Sequence, residues 1–188
     1  EASPVPIKIQ LGASLTEGLG AGSNPEVGRR AAEESADRIT ELLDANTKML
    51  FLTAGMGGGT GTGAAPVIAE IAREKGILTV GVVTNPFSTE GGYRKQYAED
   101  GLAELKKYVD TLLIINNDKL IEVYGDLTFT QAFGKANEVL NTATKGIAEV
   151  ISQHLLVNID LNDARKVLEN SGTAVMGQAI AEGENRAI

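Results

Sequence analysis

The sequence predicts an α/β fold in which a parallel sheet carries helices on its faces. Three observations predict it. The runs Met49 to Thr53, Ile77 to Thr84 and Thr111 to Ile115 are almost continuously aliphatic or β-branched, as strands buried on both faces are. Their starts lie roughly 30 residues apart, the length of a strand plus its crossover helix. The stretches between them carry helical periodicity and not a second alternating pattern, which selects strand–helix alternation over a meander.

Each element follows in order. Ile7, Ile9 and Leu11 alternate with polar residues, the pattern of a strand half buried or at an edge. Asn24-Pro25-Glu26 opens a helix with a capping amide, a first-turn proline and an acid at the positive end. Ala32, Ile39 and Leu43 carry its buried face. After the first buried strand, Ala64, Ile68, Ile71 and Ala72 share a helix face and Gly76 stops it. After the second, Tyr97, Leu102, Leu105 and Tyr108 form a looser stripe. A long helix over about 131–154 places Ala136, Leu140, Ala143, Ile147 and Ile151 at steps of three and four. Leu155 to Asp160 then reads as a turn, Ala164 to Glu169 as a short helix broken by Ser171-Gly172, and Thr173 to Gly177 as the opening of a further strand.

Composition narrows the chemistry. The 188 residues contain no Cys and one His, which excludes disulfides, thiolate zinc sites, a Cys nucleophile and a His-rich metal site. A net charge of −8 opposes nucleic-acid binding, which needs a basic face. No apolar run approaches the roughly 20 residues of a membrane span, and no signal peptide opens the chain. A cytoplasmic protein with no direct membrane insertion is the expectation.

The most informative segment is Gly55-Met56-Gly57-Gly58-Gly59-Thr60-Gly61-Thr62-Gly63, between a buried strand and an amphipathic helix. Successive glycines let backbone N–H groups converge on an anion, and the helix that follows adds free amides and a positive dipole end. Thr60 and Thr62 add hydroxyls, so the loop suits a phosphate chain. It is not a P-loop, because Ala64-Ala65 stands where Lys and Ser or Thr are required. Simple dinucleotide binding is weakened, because the next strand ends Val83-Thr84-Asn85-Pro86-Phe87 without the ribose-binding acid.

Gly57 to Gly63, GGGTGTG, resembles the signature of the tubulin superfamily, and in particular of its bacterial cell-division GTPases. Five further segments are similar in the same order: Gly18 to Gly28, Thr84 to Phe87, Asn116 to Leu120, Phe133 to Asn137, and Asn158-Ile159-Asp160-Leu161-Asn162-Asp163, which looks like an NxDxxD catalytic loop. The resemblance implies binding of GTP or GDP, with Mg²⁺ held by the phosphates and no dedicated metal site. It implies that Gly57, Gly58, Gly59, Thr60, Gly61, Thr62 and Gly63 cradle the phosphates while Gly20, Ala21 and Gly22 approach from the other side. Glu90 and Arg94 would lie near the ribose and phosphates, at a spacing that shares one helix face. Phe133 and Asn137 would hold the guanine, Phe133 stacking on it and Asn137 pairing with its edge, and Asn116 would also contact the nucleotide. Asp160 and Asp163, positioned by Asn158, would activate water, and would do so in the site of the next subunit. Read without the resemblance, Phe133 is core, Glu90 and Arg94 are a surface pair, Asp163 caps a helix starting at Ala164, and His154 is a helix-end cation.

The implied parent is a cytoplasmic, head-to-tail homopolymer at the division site, joined to division proteins and membrane anchors through a tail absent here. The chain starts at Glu1 and has no counterpart of the family's first strand and first glycine loop. It is therefore expected to be an internal fragment, with 1–171 a partial GTP-binding domain and 172–188 the start of a second domain. The missing strand would lie between the Ile7 strand and the Phe51 strand. Alone, the fragment is expected to be an inactive assembly or capping module and not a competent GTPase. An unrelated nucleotide-binding α/β domain is the third reading, opposed by six motifs in one order.

Overall fold

The structure, a computed structural model, describes residues 4–125, 127–152 and 159–175. Its elements are α1 (Ala13–Thr16), α2 (Pro25–Glu34), α3 (Ala36–Leu42), β1 (Met49–Gly55), α4 (Thr60–Glu74), β2 (Leu78–Asn85), a 3₁₀ turn (Ser88–Glu90), α5 (Gly92–Leu105), β3 (Thr111–Asn116), α6 (Asn117–Tyr124), α7 (Phe129–Ser152), α8 (Leu161–Leu168) and β4 (Gly172–Thr173). The strands form one parallel sheet in the order β1-β2-β3-β4. The three buried runs of the sequence are its three long strands.

The sheet is covered on both sides. On one face Leu52, Val83 and Leu112 pack against Ala65 and Ala69 of α4 and against Ala98 and Leu105 of α5. On the other, Val80, Val82 and Leu113 meet Ala143 of α7, with Leu140, Ile147 and Leu168 around them. Leu78 through Val83 of β2 are all buried, so the continuous apolar run there follows from two covered faces. At the end of the sheet where the strands begin, Ile39 and Leu43 close over Ala72 and Ile77.

Several elements differ from the sequence reading. Residues 4–10 form no strand, and Ile7 is 60% exposed. Alternation makes a strand possible, but pairing needs a neighbour, and among the described residues β1 pairs as a strand with β2 alone. Instead Leu11 packs beside the Ile39 cluster and Gly12, at φ +61, turns the chain into α1. The helix opened by Asn24 is two helices, because Ser35 leaves helical geometry (φ −98, ψ 10) while its hydroxyl accepts the Gly12 N–H at 3.0 Å. In α5 the buried face is Ala98, Gly101 and Leu105, and Tyr97 points out. Gly101 lets α5 lie close to α4, a Cβ there standing 2.4 Å from Thr62 Cγ2, and a search for large apolar side chains passes over such residues. The long helix begins at Phe129 and not at Gln131, because Thr128 and Gln131 form a reciprocal cap: Thr128 N–H to Gln131 Oε1 at 2.9 Å, Gln131 N–H to Thr128 Oγ1 at 3.4 Å. Helix α8 starts at Leu161, three residues earlier than expected. Helix α6 went unread in the sequence. Residues from Met176 onward, where the last strand was expected to continue, lie outside the described residues.

β1 lies at an edge. Its even residues bond to β2: the Lys48 carbonyl accepts from Leu78 N–H at 3.1 Å, and Met56 N–H donates to the Thr84 carbonyl at 2.9 Å. In a strand the N–H and C=O of alternate residues point to opposite sides, so Met49, Phe51, Thr53 and Gly55 turn theirs to the open edge. They have no backbone partner there among the described residues. Among the same residues, no helix is long and apolar enough to cross a membrane.

Candidate nucleotide site

The glycine loop lies where predicted, at the carboxyl end of β1 and ahead of α4. Gly57 turns it in the left-handed region (φ +96) and abuts α5: a Cβ there would lie 2.8 Å from the Arg94 carbonyl oxygen. The Gly57 N–H donates to Thr62 Oγ1 at 2.8 Å. Thr62 is 3% exposed, so its hydroxyl ties the loop to the helix and does not face a ligand, contrary to the sequence reading. Thr60 is exposed at the first position of α4. The first bond of that helix runs from Gly63 N–H to the Gly59 carbonyl at 3.0 Å. The Thr60, Gly61 and Thr62 amides precede it and take no partner among the described residues, as first-turn amides do when a helix has no side-chain cap. A Cβ on Gly58 would meet nothing within 4 Å, so the loop faces open space with donors beneath it.

The second loop reaches the first through close backbone approach. A Cβ added to Gly59 would lie 2.7 Å from the Ala21 methyl, and one added to Gly28 would lie 2.2 Å from the Gly59 carbonyl oxygen. Ala21 is buried in that contact, whereas Gly20 and Gly22 take positive φ on either side of it. Helix α2 thus seats the Gly20–Gly22 arc against the glycine loop. Gly28 belongs to this site as a spacer, a role that no ligand-centred reading of the sequence assigns.

A cavity of about 300 Å³ continues from Gly55 and Thr84 to Phe133 and Asn137 on α7. The two α7 residues do share a face. Phe133 is held edge-on by Phe87 at 5.1 Å and by Phe129 at 4.8 Å between ring centroids. Asn117 lines the same cavity, is 3% exposed, and has a buried side-chain oxygen without a hydrogen-bond partner. Asn116, the residue expected here, is instead the cap of α6: its Oδ1 accepts the Asp118 N–H at 3.0 Å. Asn116 is the last residue of β3 and the cap of α6, whereas Asn117 is the first residue of α6, and of the two it is Asn117 that lines this cavity. An orphaned buried amide oxygen is costly, and a donor on a base edge would satisfy it.

Glu90 and Arg94 meet at 3.3 Å, but not on one helix face. Glu90 ends the 3₁₀ turn, where its Oε1 accepts the Phe87 N–H at 2.8 Å, and Arg94 belongs to α5 beyond Gly91, at φ +102. The turn fixes the carboxylate beside the loop after β2 and leaves the guanidinium half exposed.

The acidic turn lies elsewhere. Asp160 Oδ1 accepts the Asp163 N–H at 2.9 Å and Asp163 Oδ2 accepts the Asp160 N–H at 3.3 Å, a reciprocal cap in which Asp160, not Asp163, is the capping residue of α8. Both carboxylates are exposed. Helix α8 is held at the opposite end of the sheet: Arg165 donates to the carbonyls of Lys48 and Gly76, the residues ahead of β1 and β2. Seven residues of β1 at roughly 3.3 Å each put about 20 Å between the two ends. The Asp160–Asp163 turn and the glycine loop are therefore not brought together within one molecule. Asn158 and His154 lie outside the described residues.

Residues 2–125 match the family model described as Tubulin/FtsZ family, GTPase domain. The chain is 54% identical over 182 residues to the cell division protein FtsZ of Coxiella burnetii, covering 96% of this chain and 47% of that protein. It is 53% identical over 180 residues to that of Wigglesworthia glossinidia brevipalpis, covering 95% and 47%. Among solved structures, the empty FtsZ dimer of M. jannaschii superposes with a TM-score of 0.84 at 47% identity over 87% of this chain and 47% of that one. The GDP-bound CetZ1 monomer of Haloferax volcanii superposes at 0.70 with 26% identity over 87% and 48%. The chain spans about half the length of the relatives it matches.

Proposed function

The chain belongs to the Tubulin/FtsZ family of GTPase domains, and on that footing we propose that it carries most of the GTP site of a filament-forming cell-division GTPase, with hydrolysis completed between subunits. The observation that carries this reading is the separation of the glycine loop from the Asp160–Asp163 turn by the length of the sheet. The glycine-loop amides and the Gly20–Gly22 arc bind the phosphates, Glu90 and Arg94 flank the ribose side, and Asn117, Phe133 and Asn137 hold the guanine. Phosphoryl transfer asks mainly for positioning and charge stabilisation. Two exposed carboxylates can orient a water and accept its proton, but only for a nucleotide on a neighbouring molecule stacked head to tail.

Mg²⁺ would in this reading be held mainly by the phosphates of the bound nucleotide. In this reading residues 1–171 belong to the GTP-binding domain and 172–188 begin a second one, in a cytoplasmic protein working at the division site. The open edge of β1 favours a second reading for the isolated chain: an inactive piece that presents the acidic turn to a filament end and caps it.

The test is complementation in the complete protein. Asp163→Ala binds GTP nearly normally and turns it over slower by orders of magnitude. A glycine-loop variant, Gly58→Val, loses GTP but keeps its acidic turn. Mixed in one filament, the two recover turnover at the interfaces that pair an intact loop with an intact turn. Co-assembly of the two without any recovery refutes hydrolysis between subunits.

A further inference from the structure

We infer that Asp118 is the positioning residue of the turn on the ribose side of the nucleotide, an assignment that rests on the nucleotide-site reading above. The ladder between β2 and β3 ends at the pair Asn85 and Asn116. Past that pair the two chains leave the sheet, one toward the 3₁₀ turn and one into α6, and strand pairing no longer holds them together. The next link is made by a side chain: the Ser88 N–H donates to Asp118 Oδ1 at 2.9 Å, across 30 residues of sequence. Asp118 is itself held in place. Its own N–H donates to Oδ1 of the capping Asn116 at 3.0 Å, and it lies in the first turn of α6, where the helix dipole favours an acid.

The turn needs such a link. Its internal bond, from the Phe87 N–H to Glu90 Oε1, sets the shape of the turn but not its place. Gly91 and Gly92 follow it, and a Cβ on either would meet nothing within 4 Å, so the chain beyond the turn does not wedge it. Yet the turn carries two residues of the site: Phe87, edge-on to Phe133, and Glu90. Asp118 stands next to Asn117, which lines the base cavity and has the orphaned oxygen. The step from Asn117 to Asp118 therefore serves both sides of the nucleotide. Asn117 meets the base, and Asp118 holds the backbone that carries Phe87 and Glu90. Asp118 acts through Ser88, and its effect is on where those two side chains stand when the nucleotide arrives.

The experiment is a double-mutant cycle in the complete protein: Asp118→Ala, Ser88→Pro and the two combined, with Asp118→Asn and Asn117→Ala alongside. GTP affinity of the free subunit and kcat at saturating GTP are measured for each. Proline deletes the donor without touching α6. The position accepts it, because Phe87, at φ −65 and ψ 145, already has the extended backbone of a residue before proline, and Ser88 opens the turn. Asp118→Ala and Ser88→Pro are each expected to weaken GTP binding roughly 5- to 10-fold, as the loss of one exposed hydrogen bond to a charged group does, with kcat within about twofold of the parent. The combined variant binds within about twofold of the weaker single one, since both changes remove the same bond. Asn keeps an oxygen acceptor at the same reach and recovers most of the loss. A role confined to the stability of α6 gives instead a Ser88→Pro that binds like the parent, or losses that add, and either result overturns the assignment. A kcat that falls in step with affinity overturns it as well. If Asp118→Ala does not fold, Ser88→Pro decides: weakened binding with kcat kept supports the assignment, and affinity like the parent's refutes it. If Asn117→Ala itself binds GTP like the parent, the nucleotide-site reading has failed, and the role of Asp118 falls with it.

Discussion

Asn116 and Asn117 show how one residue of register decides a role. Asn116 ends β3 and caps α6, whereas Asn117 opens α6 and is buried. Asn117→Ala is expected to weaken GTP binding about tenfold or more, roughly 1.4 kcal/mol, with the melting temperature little changed. Asn116→Ala removes the cap of α6 and is expected to cost about 1 kcal/mol of stability while leaving affinity intact. Binding titrations and thermal melts of the two variants check the pair, and a reversed pattern refutes the assignment. Gly28 acts at the same scale without touching a ligand. A methyl group there would stand 2.2 Å from the Gly59 carbonyl oxygen, against backbone that cannot yield without moving the glycine loop. Gly28→Ala is therefore expected to lower GTP affinity at least tenfold, measured by titration. Unchanged affinity would show that the loop tolerates the shift.

At the scale of elements, the open edge of β1 makes an alternating forecast. Amides of Leu50, Leu52 and Ala54 bond to β2, and those of Phe51, Thr53 and Gly55 do not. Hydrogen exchange resolved by residue should find protection in the first set and fast exchange in the second. Uniform protection along β1 would mean that something pairs with that edge. The short α1 depends on a different contact. Glu34 accepts the Ser14 and Leu15 N–H groups at 3.0 Å each, and these bonds, that of Ser14 foremost, hold its carboxyl below the ordinary value of 4.5. A lowered folded-state value means that the contribution is complete above 4.5 and is lost as pH falls through the lowered value. The Ser14 and Leu15 amide resonances should therefore titrate together with a midpoint below 4.5. A midpoint at or above 4.5 would separate them from Glu34.

At the scale of the molecule, the same edge governs solution behaviour. A strand with four unpaired residues and both faces apolar invites pairing with another chain. The isolated 188-residue chain is expected to associate at micromolar concentrations. Thr53→Pro should reduce that association, since the Thr53 N–H has no partner in the sheet and proline is tolerated on an edge. Sedimentation velocity on both proteins checks this, and a parent chain that stays monomeric contradicts it.

What the sequence by itself determined is what depends on local order and on burial pattern. The three long strands, the stop at Gly76, the cap at Asn24 and the place of the glycine loop between a strand and a helix all follow from residue types within a few positions of one another. The Phe133–Asn137 face followed for the same reason, because helical spacing alone places both residues on one side. Only the tertiary structure decided the rest, and the cause differs in each case. Ile7 to Leu11 has strand periodicity but no strand paired with it among the described residues, and pairing is a property of two segments. Ser35 breaks a helix because Gly12, 23 residues away, donates to it. Thr62 faces inward and Asn117 faces the cavity because neighbouring elements close one side of each. The distance between the glycine loop and Asp160 could not be read from a linear chain at all. It is set by a strand's length and by an arginine that holds α8 to the far end of the sheet, through contacts with residues distant in sequence.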